Sequence, residues 1–257
     1  MSADLSLFTL PDFPLVEPGD NLADQIVAAL AKAKLNLAPG DVVVLAQKIV
    51  SKSENRYGYL NDVVVSAEAQ ALAPQIDKDP RLVQLILDES VEVVRQRPGV
   101  VIVEHNKGYV HANAGIDKSN ISSADDNPRV LLLPLDSDAS ARALQTELSQ
   151  KLAIDGDIAI IINDSAGRAW RNGTAGMAIG TAGFEPLVDM IGEADLFNRP
   201  MEVTTVAVAD ELAAAASFLM GQAAEGSPVV LIRGAKLRPS SAGSESLIRP
   251  KQQDLFR

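Results

Sequence analysis

The chain of 257 residues contains no cysteine, which excludes disulfides and thiolate metal sites and indicates a reducing compartment. No apolar run reaches the ~20 residues that a membrane-spanning helix needs. The first residues, Met1 to Leu5, lack the basic and apolar segments of a secretory signal. We therefore expect a cytoplasmic protein with no membrane partner.

Common nucleotide and hydrolase motifs are also missing. The sequence has no G-x-x-x-x-G-K-[ST] loop, no G-x-G-x-x-G turn and no G-x-S-x-G elbow. A nucleotide, if bound, must use another geometry. Only two histidines occur, His105 and His111, without the cysteine and histidine spacing of a zinc finger. They flank a short turn, and we expect a pair of surface histidines that face each other across the strands.

The formal net charge of -11 argues against nucleic-acid binding, which needs basic surface to neutralise phosphates. An anionic small molecule would also be repelled unless lysines, arginines or a metal ion reverse the field locally. The hydrophobic fraction of 47% is enough for a full core in one large or two smaller domains.

Helix-like and strand-like patterns alternate along the chain. Asn21 is a helix cap before Leu22, Ile26 and Leu30, which share one face. A second helical stripe carries Leu144, Leu148 and Leu152. Val100–His105 and Tyr109–His111 flank a Gly-containing turn and predict a hairpin, which favours an α+β fold over a purely parallel sheet. The polar residues after Gly234 predict a mobile tail.

Two apolar runs predict buried strands that stop on an aspartate, one leading to Asp117 and the other to Asp164. Such ends can place carboxylates at the mouth of a site. With the Ser165 hydroxyl, they suit a hard cation such as Mg²⁺ or Mn²⁺, which would hold phosphates. The alternative is that each aspartate caps a helix or closes a turn.

Basic residues mark two further places. Lys48 and Lys52 follow the buried strand Val42–Leu45, and on a continuing strand both would point to one face and could reach a phosphate. A solvated edge strand is the alternative. Arg168 and Arg171 flank Trp170 in a Gly-rich stretch, which could form an anion-binding loop or an ordinary chain reversal.

Several of these segments, taken in order, resemble the family of coenzyme F420-0:L-glutamate ligases. The resemblance spans about Pro14 to Gly234 and is most specific in Asn113–Asp117 with Ser119-Asn120 and in Asp164–Arg168. It is also carried by other short segments: Pro14-Leu15-Val16, Pro18-Gly19-Asp20, Val50-Ser51-Lys52, Gly176–Gly180, Val208–Glu211 and Leu219-Met220-Gly221.

The resemblance implies a ligase that joins the lactyl carboxylate of F420-0 to the amine of L-glutamate, with GTP as co-substrate and an acyl phosphate as intermediate. It implies Mg²⁺ or Mn²⁺, with K⁺ as a further candidate ion. The implied metal positions, of which Asp117 and Asp164 are also catalytic, are Asp117, Asp164, Ser165 and Gln222. The implied nucleotide contacts are Pro14, Leu15, Val16, Gln47, Lys48, Lys52, Asn120 and Gly221.

The resemblance further implies a two-domain fold with mixed and antiparallel sheets, in an intertwined homodimer. Residues 1–234 would form one ligase unit of two subdomains, and residues 235–257 a polar tail. Gln47-Lys48 and Gln222 depart from the usual family residues, which puts nucleotide contacts and metal preference in question. A metal-dependent phosphohydrolase and a non-catalytic nucleotide- or deazaflavin-binding module are the alternative functions.

Overall fold

The computed structural model describes residues 4–256. Helices and strands alternate, as expected for an α+β protein. The strands are β1 Ser6–Thr9, β2 Val42–Ala46, β3 Tyr57–Tyr59, β4 Ser90–Arg97, β5 Val100–His105, β6 Val110–Ala112, β7 Arg129–Leu131, β8 Ala159–Arg168, β9 Arg171–Ala182, β10 Val188–Asp189, β11 Thr205–Val206 and β12 Val229–Arg233. The helices are α1 Leu22–Ala33, α2 Gln47–Ser53, α3 Ala67–Leu72, α4 Pro80–Asp88, α5 Ser137–Lys151 and α6 Val208–Met220.

A mixed five-stranded sheet with the order β1-β12-β2-β8-β9 forms the centre of the protein. Strands β2 and β8 are parallel, and the other neighbours are antiparallel. Three-stranded β4-β5-β6 and the pairs β3-β7 and β10-β11 form separate sheets. The mixed and antiparallel sheets confirm the α+β prediction. The division into subdomains and the intertwined homodimer stay predictions.

The central sheet is buried on both faces because its strands are apolar at successive positions. Along β2, Val43 and Leu45 pack in one hydrophobic cluster with α1 and α5, whereas Val42 and Val44 pack in another with α6. This two-residue alternation sends side chains to opposite faces. A third cluster joins α3, α4 and the smaller sheets.

Side-chain caps mark the starts of two helices, and the first of them, Asn21, was predicted from the sequence. Asn21 caps α1, and its side-chain oxygen accepts the backbone N–H of Asp24 at 2.8 Å. Asp136 caps α5 in the same way by accepting the N–H of Ala139. The predicted hairpin is present as β5 and β6. None of the helices within residues 4–256 combines the length and hydrophobicity needed to cross a membrane.

The expectation that Lys48 and Lys52 extend a strand is wrong, because they lie on α2. Sheet pairing of β2 with β8 ends at Ala46, and α2 begins at the next residue, Gln47. The Ser51 hydroxyl then bonds to the Gln47 side chain four residues earlier, at 2.8 Å. Lys48 and Lys52 are also four residues apart, and helical spacing places them on one face as strand spacing would have done.

Arg168 and Arg171 flank a tight chain reversal between β8 and β9, as in the second of the two alternatives. The Gly-rich stretch beyond this turn is not a loop, because it forms the long strand β9. Its glycines allow close packing of helices on the sheet. A Cβ on Gly176 would lie 2.5 Å from the Ala213 carbonyl oxygen of α6, and one on Gly180 would lie 2.5 Å from the Ser137 carbonyl oxygen of α5.

The C-terminal segment is packed against the body, contrary to the expectation of a mobile tail. Ser244 is 2% exposed, and its backbone N–H and its hydroxyl both donate to the Asp138 carboxylate on α5. Asp138 also accepts the backbone N–H of Thr181 on β9 at 2.7 Å. A carboxylate at the start of a helix therefore ties the tail to the sheet.

We expect Asp138→Ala to lower the melting temperature and to release the tail, because it leaves several buried donors without an acceptor. Each such group costs about 1–3 kcal/mol. Thermal melts and limited proteolysis after residue 234 measure the two effects. Asp155→Ala, at an exposed aspartate, is the control. Unchanged protease resistance in Asp138→Ala would contradict this role.

Candidate active site

A cleft of about 460 Å³ opens beside the start of α2 and the C-terminal end of α6. Of the site residues implied by the family resemblance, all apart from Asp117 line this cleft: Pro14, Leu15, Val16, Gln47, Lys48, Lys52, Asn120, Asp164, Ser165, Gly221 and Gln222. Arg168 and Arg171, the other candidates for anion binding, do not line it. The structure thus brings together residues that are more than 200 positions apart in the chain. Their binding roles stay predictions.

Asp117 follows a short turn with unusual backbone angles. Asn113 and Ala114 have φ values of 54° and 55°, in the left-handed region, and Gly115 follows at 70°. Non-glycine residues adopt this region at a cost, and such positions cluster at functional sites. A Cβ on Gly115 would lie 2.7 Å from the Leu133 side chain. Asp117 then pairs through its backbone with Leu131, which fixes where its carboxylate can reach.

Lys48 links Asp117 to the cleft. Its ammonium lies 2.8 Å from Asp117 Oδ2 and donates to the Ser119 hydroxyl at 2.6 Å. The backbone N–H of Ser119 donates to Asp117 Oδ1 at 2.7 Å. Burial by itself raises the pKa of Asp117, but these hydrogen bonds and the Lys48 charge outweigh it and hold the pKa below its usual range. Asp117 is therefore an ionised carboxylate at neutral pH.

Asp164 lies within β8 and not at its end, contrary to the prediction from sequence. A bulge in the pairing of β8 with β9 falls between Ile162 and Asn163, immediately before it. Bulges re-aim side chains next to functional sites. Burial raises the pKa of Asp164 to about 7; the Asp117 charge adds to this, whereas the Ser165 N–H and Lys48 oppose it.

The oxygen atoms around the two carboxylates suit a hard divalent cation. The Ser165 hydroxyl donates to the Gln222 amide oxygen at 2.9 Å, so both groups lie together beside Asp164. Within residues 4–256, no three acidic or histidine side chains converge into a complete metal cage. Two carboxylates with a hydroxyl and an amide fit Mg²⁺ or Mn²⁺, which retain water or phosphate ligands. The donor set therefore fits the implied metal.

Other groups that line the cleft can bind an anion. Lys52 donates to the Asn120 carbonyl at 2.8 Å, and the Asn120 amide donates to the Ala223 carbonyl at 2.9 Å. These bonds join α2 to the loop that follows α6. Burial lowers the pKa of Lys52, with the Lys48 charge adding to the effect and that of Glu17 opposing it.

The loop after α6 already holds an oxyanion. The backbone N–H of Ala223 donates to the Glu225 carboxylate at 2.7 Å. Backbone N–H groups of Glu225, Ala223 and Gln222 hold the pKa of that carboxyl below its usual range. Successive N–H groups that converge in this way form an anion-binding nest. A phosphate offers the same kind of acceptor as the Glu225 carboxylate.

The expectation of surface histidines is wrong, because His105 and His111 are 3% and 6% exposed. His111 pairs with Val103, so the two histidines do not face each other across the hairpin. Each lies beside a different carboxylate: His105 Nε2 is 3.4 Å from Glu89, and His111 Nδ1 is 3.7 Å from Asp164. Burial lowers the pKa of His111 to about 4, so it is neutral.

Sequence reasoning missed several residues of the cleft, among them Phe13, Ser217 and Glu225. Ser217 lies on α6 and accepts a hydrogen bond from the Gln222 amide at 3.1 Å. Nothing in the sequence of α6 indicated which end of the helix lies beside Asp164. His111 was visible as a residue, and only its burial reveals its position.

Comparison with known proteins now adds to this geometry. The sequence model of the family described as F420-0:Gamma-glutamyl ligase matches residues 12–234. The chain belongs to this family.

Curated relatives share nearly the whole length of this family member. The coenzyme F420:L-glutamate ligase of Methanothermobacter thermautotrophicus is 44% identical over 256 residues, covering 98% of this chain and 99% of the relative. The ligase of the same name from Methanocaldococcus jannaschii is 40% identical, covering 96% and 94%. That from Archaeoglobus fulgidus is 37% identical, covering 98% and 96%.

We expect metal binding in the absence of nucleotide to strengthen with pH, because a cation must displace the proton from Asp164. The apparent Kd for Mn²⁺ should fall about tenfold per pH unit up to about pH 7 and then level off. Without metal, the raised folded-state pKa stabilises the protein at low pH, and this contribution is lost as pH rises through about 7. Electron paramagnetic resonance of Mn²⁺ and thermal melts measure the two effects. An affinity that does not change between about pH 5.5 and 7.5 would contradict the assignment.

Lys48→Met should increase Mn²⁺ affinity in nucleotide-free protein, because Lys48 competes with a metal for Asp117. A partly exposed ion pair contributes ~0.2–1 kcal/mol, so we expect a Kd lower by a factor of about 1.4 to 5 by calorimetry. Lys52→Met is the matched control, since Lys52 bonds to a carbonyl oxygen. Equal affinities of wild type and Lys48→Met would show that the ammonium does not compete.

Proposed function

We propose that this protein is a GTP-dependent ligase that joins the lactyl carboxylate of coenzyme F420-0 to the amine of L-glutamate. The observation that carries the proposal is one cleft that combines Asp164, two lysines and an anion-holding loop, with Asp117 paired to Lys48 beside it, in a chain of the F420-0:Gamma-glutamyl ligase family. The named relatives are ligases of coenzyme F420 and L-glutamate.

The chemistry explains why a triphosphate is needed. A carboxylate is a poor electrophile, so one of its oxygens first attacks the γ-phosphorus of GTP. The bond from that phosphorus to the β,γ-bridging oxygen breaks, and GDP leaves with the electron pair. The glutamate nitrogen then attacks the acyl carbon, the bond to the phosphate oxygen breaks, and the nitrogen loses a proton. The products are an amide, GDP and phosphate.

The residues of the cleft divide this work by charge. Lys52 and the backbone N–H groups of residues 222–225 bind the phosphates, and the loop exchanges the Glu225 carboxylate for a phosphate oxygen. Lys48 moves from Asp117 to a phosphate when a cation binds the carboxylate. Positioning and charge neutralisation are the main sources of rate in phosphoryl transfer.

Asp117, Asp164, Ser165 and Gln222 would hold the cation. Bound Mg²⁺ or Mn²⁺ supplies positive charge that neutralises the phosphate oxygens during transfer. Pro14, Leu15 and Val16 would line the nucleotide, with Leu15 86% exposed at the cleft and available to be covered by a base. We also propose a homodimer as the working assembly.

Mass spectrometry of F420-0 incubated with GTP, L-glutamate and Mg²⁺ or Mn²⁺ tests this function. The ligase adds the mass of one glutamate residue at each step and forms GDP in proportion. Phosphate release without amide formation would indicate a phosphohydrolase. Tight binding of GTP without turnover under either metal would indicate a binding module.

Asp117→Asn and Asp164→Asn should each lower metal-dependent turnover by at least ~100-fold with the fold intact, because each removes a charge that holds the cation. Product formation is measured by mass spectrometry, and circular dichroism checks folding. Asp125→Asn, at an exposed aspartate close in sequence to Asp117, is the control. Turnover by either site variant close to the wild-type rate would exclude the proposed metal site.

A further inference from the structure

A second cavity of about 320 Å³ lies between the β5–β6 hairpin, β9, the start of α6 and the C-terminal segment. Its lining includes Val110, His111, Met177, Arg249 and Phe256. None of these residues belongs to the cleft described above. The cavity exists because the C-terminal segment is anchored through Ser244, which also lines it.

His111 connects the second cavity to the candidate active site. Its ring lines the cavity, and its Nδ1 lies 3.7 Å from Asp164 Oδ2. Asp164 in turn lines the cleft. His111 Nε2 is buried and has no hydrogen-bond partner in the part of the chain that is described. A ligand in this cavity could therefore satisfy that nitrogen and extend one end to Asp164.

The other end of the cavity presents aromatic side chains to solvent. Phe256 is 49% exposed, and Trp170 at the tip of the β8–β9 hairpin is 85% exposed. Their ring centroids are 6.1 Å apart, and the Arg249 guanidinium lies 5.6 Å from the Phe256 centroid. The two rings meet edge to face at an interplanar angle of 61°, with Phe256 lining the cavity and Trp170 just outside its lining. An exposed ring face beside a guanidinium offers a stacking surface for a flat, negatively charged aromatic molecule.

Two carboxyl groups at this cavity, those of Asp210 and Asp254, accept hydrogen bonds from the backbone. Asp210 accepts the backbone N–H of Ala178 at 2.9 Å, and Asp254 accepts that of Phe256 at 2.9 Å. Burial also raises the pKa of Asp210. Both groups are thus engaged with the backbone around the cavity.

We propose that this second cavity binds the acyl-donor substrate, a flat aromatic molecule that carries a negatively charged linker and a terminal carboxylate. The ring stacks on the face of one of the two aromatic side chains, Phe256 or Trp170, and contacts the edge of the other. Arg249 binds the linker, and the carboxylate reaches Asp164 past His111. The assignment rests on the proposed function, under which this molecule is F420-0. Glutamate is small and has no ring, so it would leave both aromatic side chains uncovered.

Fluorescence titration with F420-0, using the fluorescence of its own ring and omitting GTP and glutamate, tests the proposal. We expect Phe256→Ala, Trp170→Ala and Arg249→Met each to raise its Kd by about five- to a hundredfold, as loss of a stacking or cation–π contact does. Val110→Trp, at the 40% exposed rim, should raise the Kd by blocking the cavity. GTP affinity should stay unchanged in all four variants.

A second aromatic and arginine pair on the surface provides the matched control. Phe197 is 76% exposed, and the Arg199 guanidinium lies 5.2 Å from its ring centroid, but neither lines the cavity. Phe197→Ala and Arg199→Met should bind F420-0 as the wild type does. Thermal melts of every variant show that it is folded.

The outcomes separate this inference from the proposed function. If the wild type binds F420-0 and the cavity variants bind it equally well, the second cavity is not its site. If those variants instead raise the KM for glutamate, the cavity belongs to the amine substrate and the inference is wrong. If the wild type binds GTP but no F420-0, the inference and the proposed function both fail.

Discussion

The repulsion between two carboxylates, Asp117 and Asp164, is the constraint on which the candidate site depends. They come from different elements, a strained turn bonded to β7 and a strand of the central sheet that lies opposite a bulge in β9. The structure reduces this repulsion in two ways. Lys48 pairs with Asp117, and burial raises the pKa of Asp164 to about 7, so that one carboxyl is paired and the other holds a proton near neutrality. Under the proposed function, a divalent cation would replace both the ammonium and the proton.

The same local balance explains how a chain with a net charge of -11 could hold a triphosphate. Lys48 and Lys52 lie on one helix face, and the N–H groups of the loop after α6 converge beside them. Long-range repulsion from scattered surface carboxylates is screened over about 8–10 Å at physiological salt, whereas contacts within the cleft are not. Local placement of a few donors therefore outweighs the global charge.

The two cavities flank a single aspartate. The cleft reaches Asp164 from the side of the lysines, and the second cavity reaches it past His111. A reaction that joins two molecules needs them on two approaches to one centre. The anchored C-terminal segment completes one approach, and the loop after α6 completes the other, so both depend on chain that follows the last apolar helix.

Much of the secondary structure could be predicted because its causes are local. The Asn21 cap, the leucine stripe of α5 and the hairpin turn act within a few residues, and the structure has all three. The prediction of secondary structure failed where contacts with residues distant in the sequence determine the local structure. The chain leaves the central sheet after Ala46, which places Lys48 on a helix, and the glycines of β9 allow close contacts with α5 and α6.

For the candidate site, too, some features follow from the sequence and others only from the tertiary structure. The sequence by itself determined which residue types are present: oxygen ligands without cysteine, two lysines four apart, and short motifs that identify the family. Only the tertiary structure decided that His111 is buried beside Asp164, that the tail is anchored by Asp138, and that a second cavity adjoins the first. Burial, pairing and proton affinity depend on groups brought together across the fold, and no local stretch of sequence contains both partners.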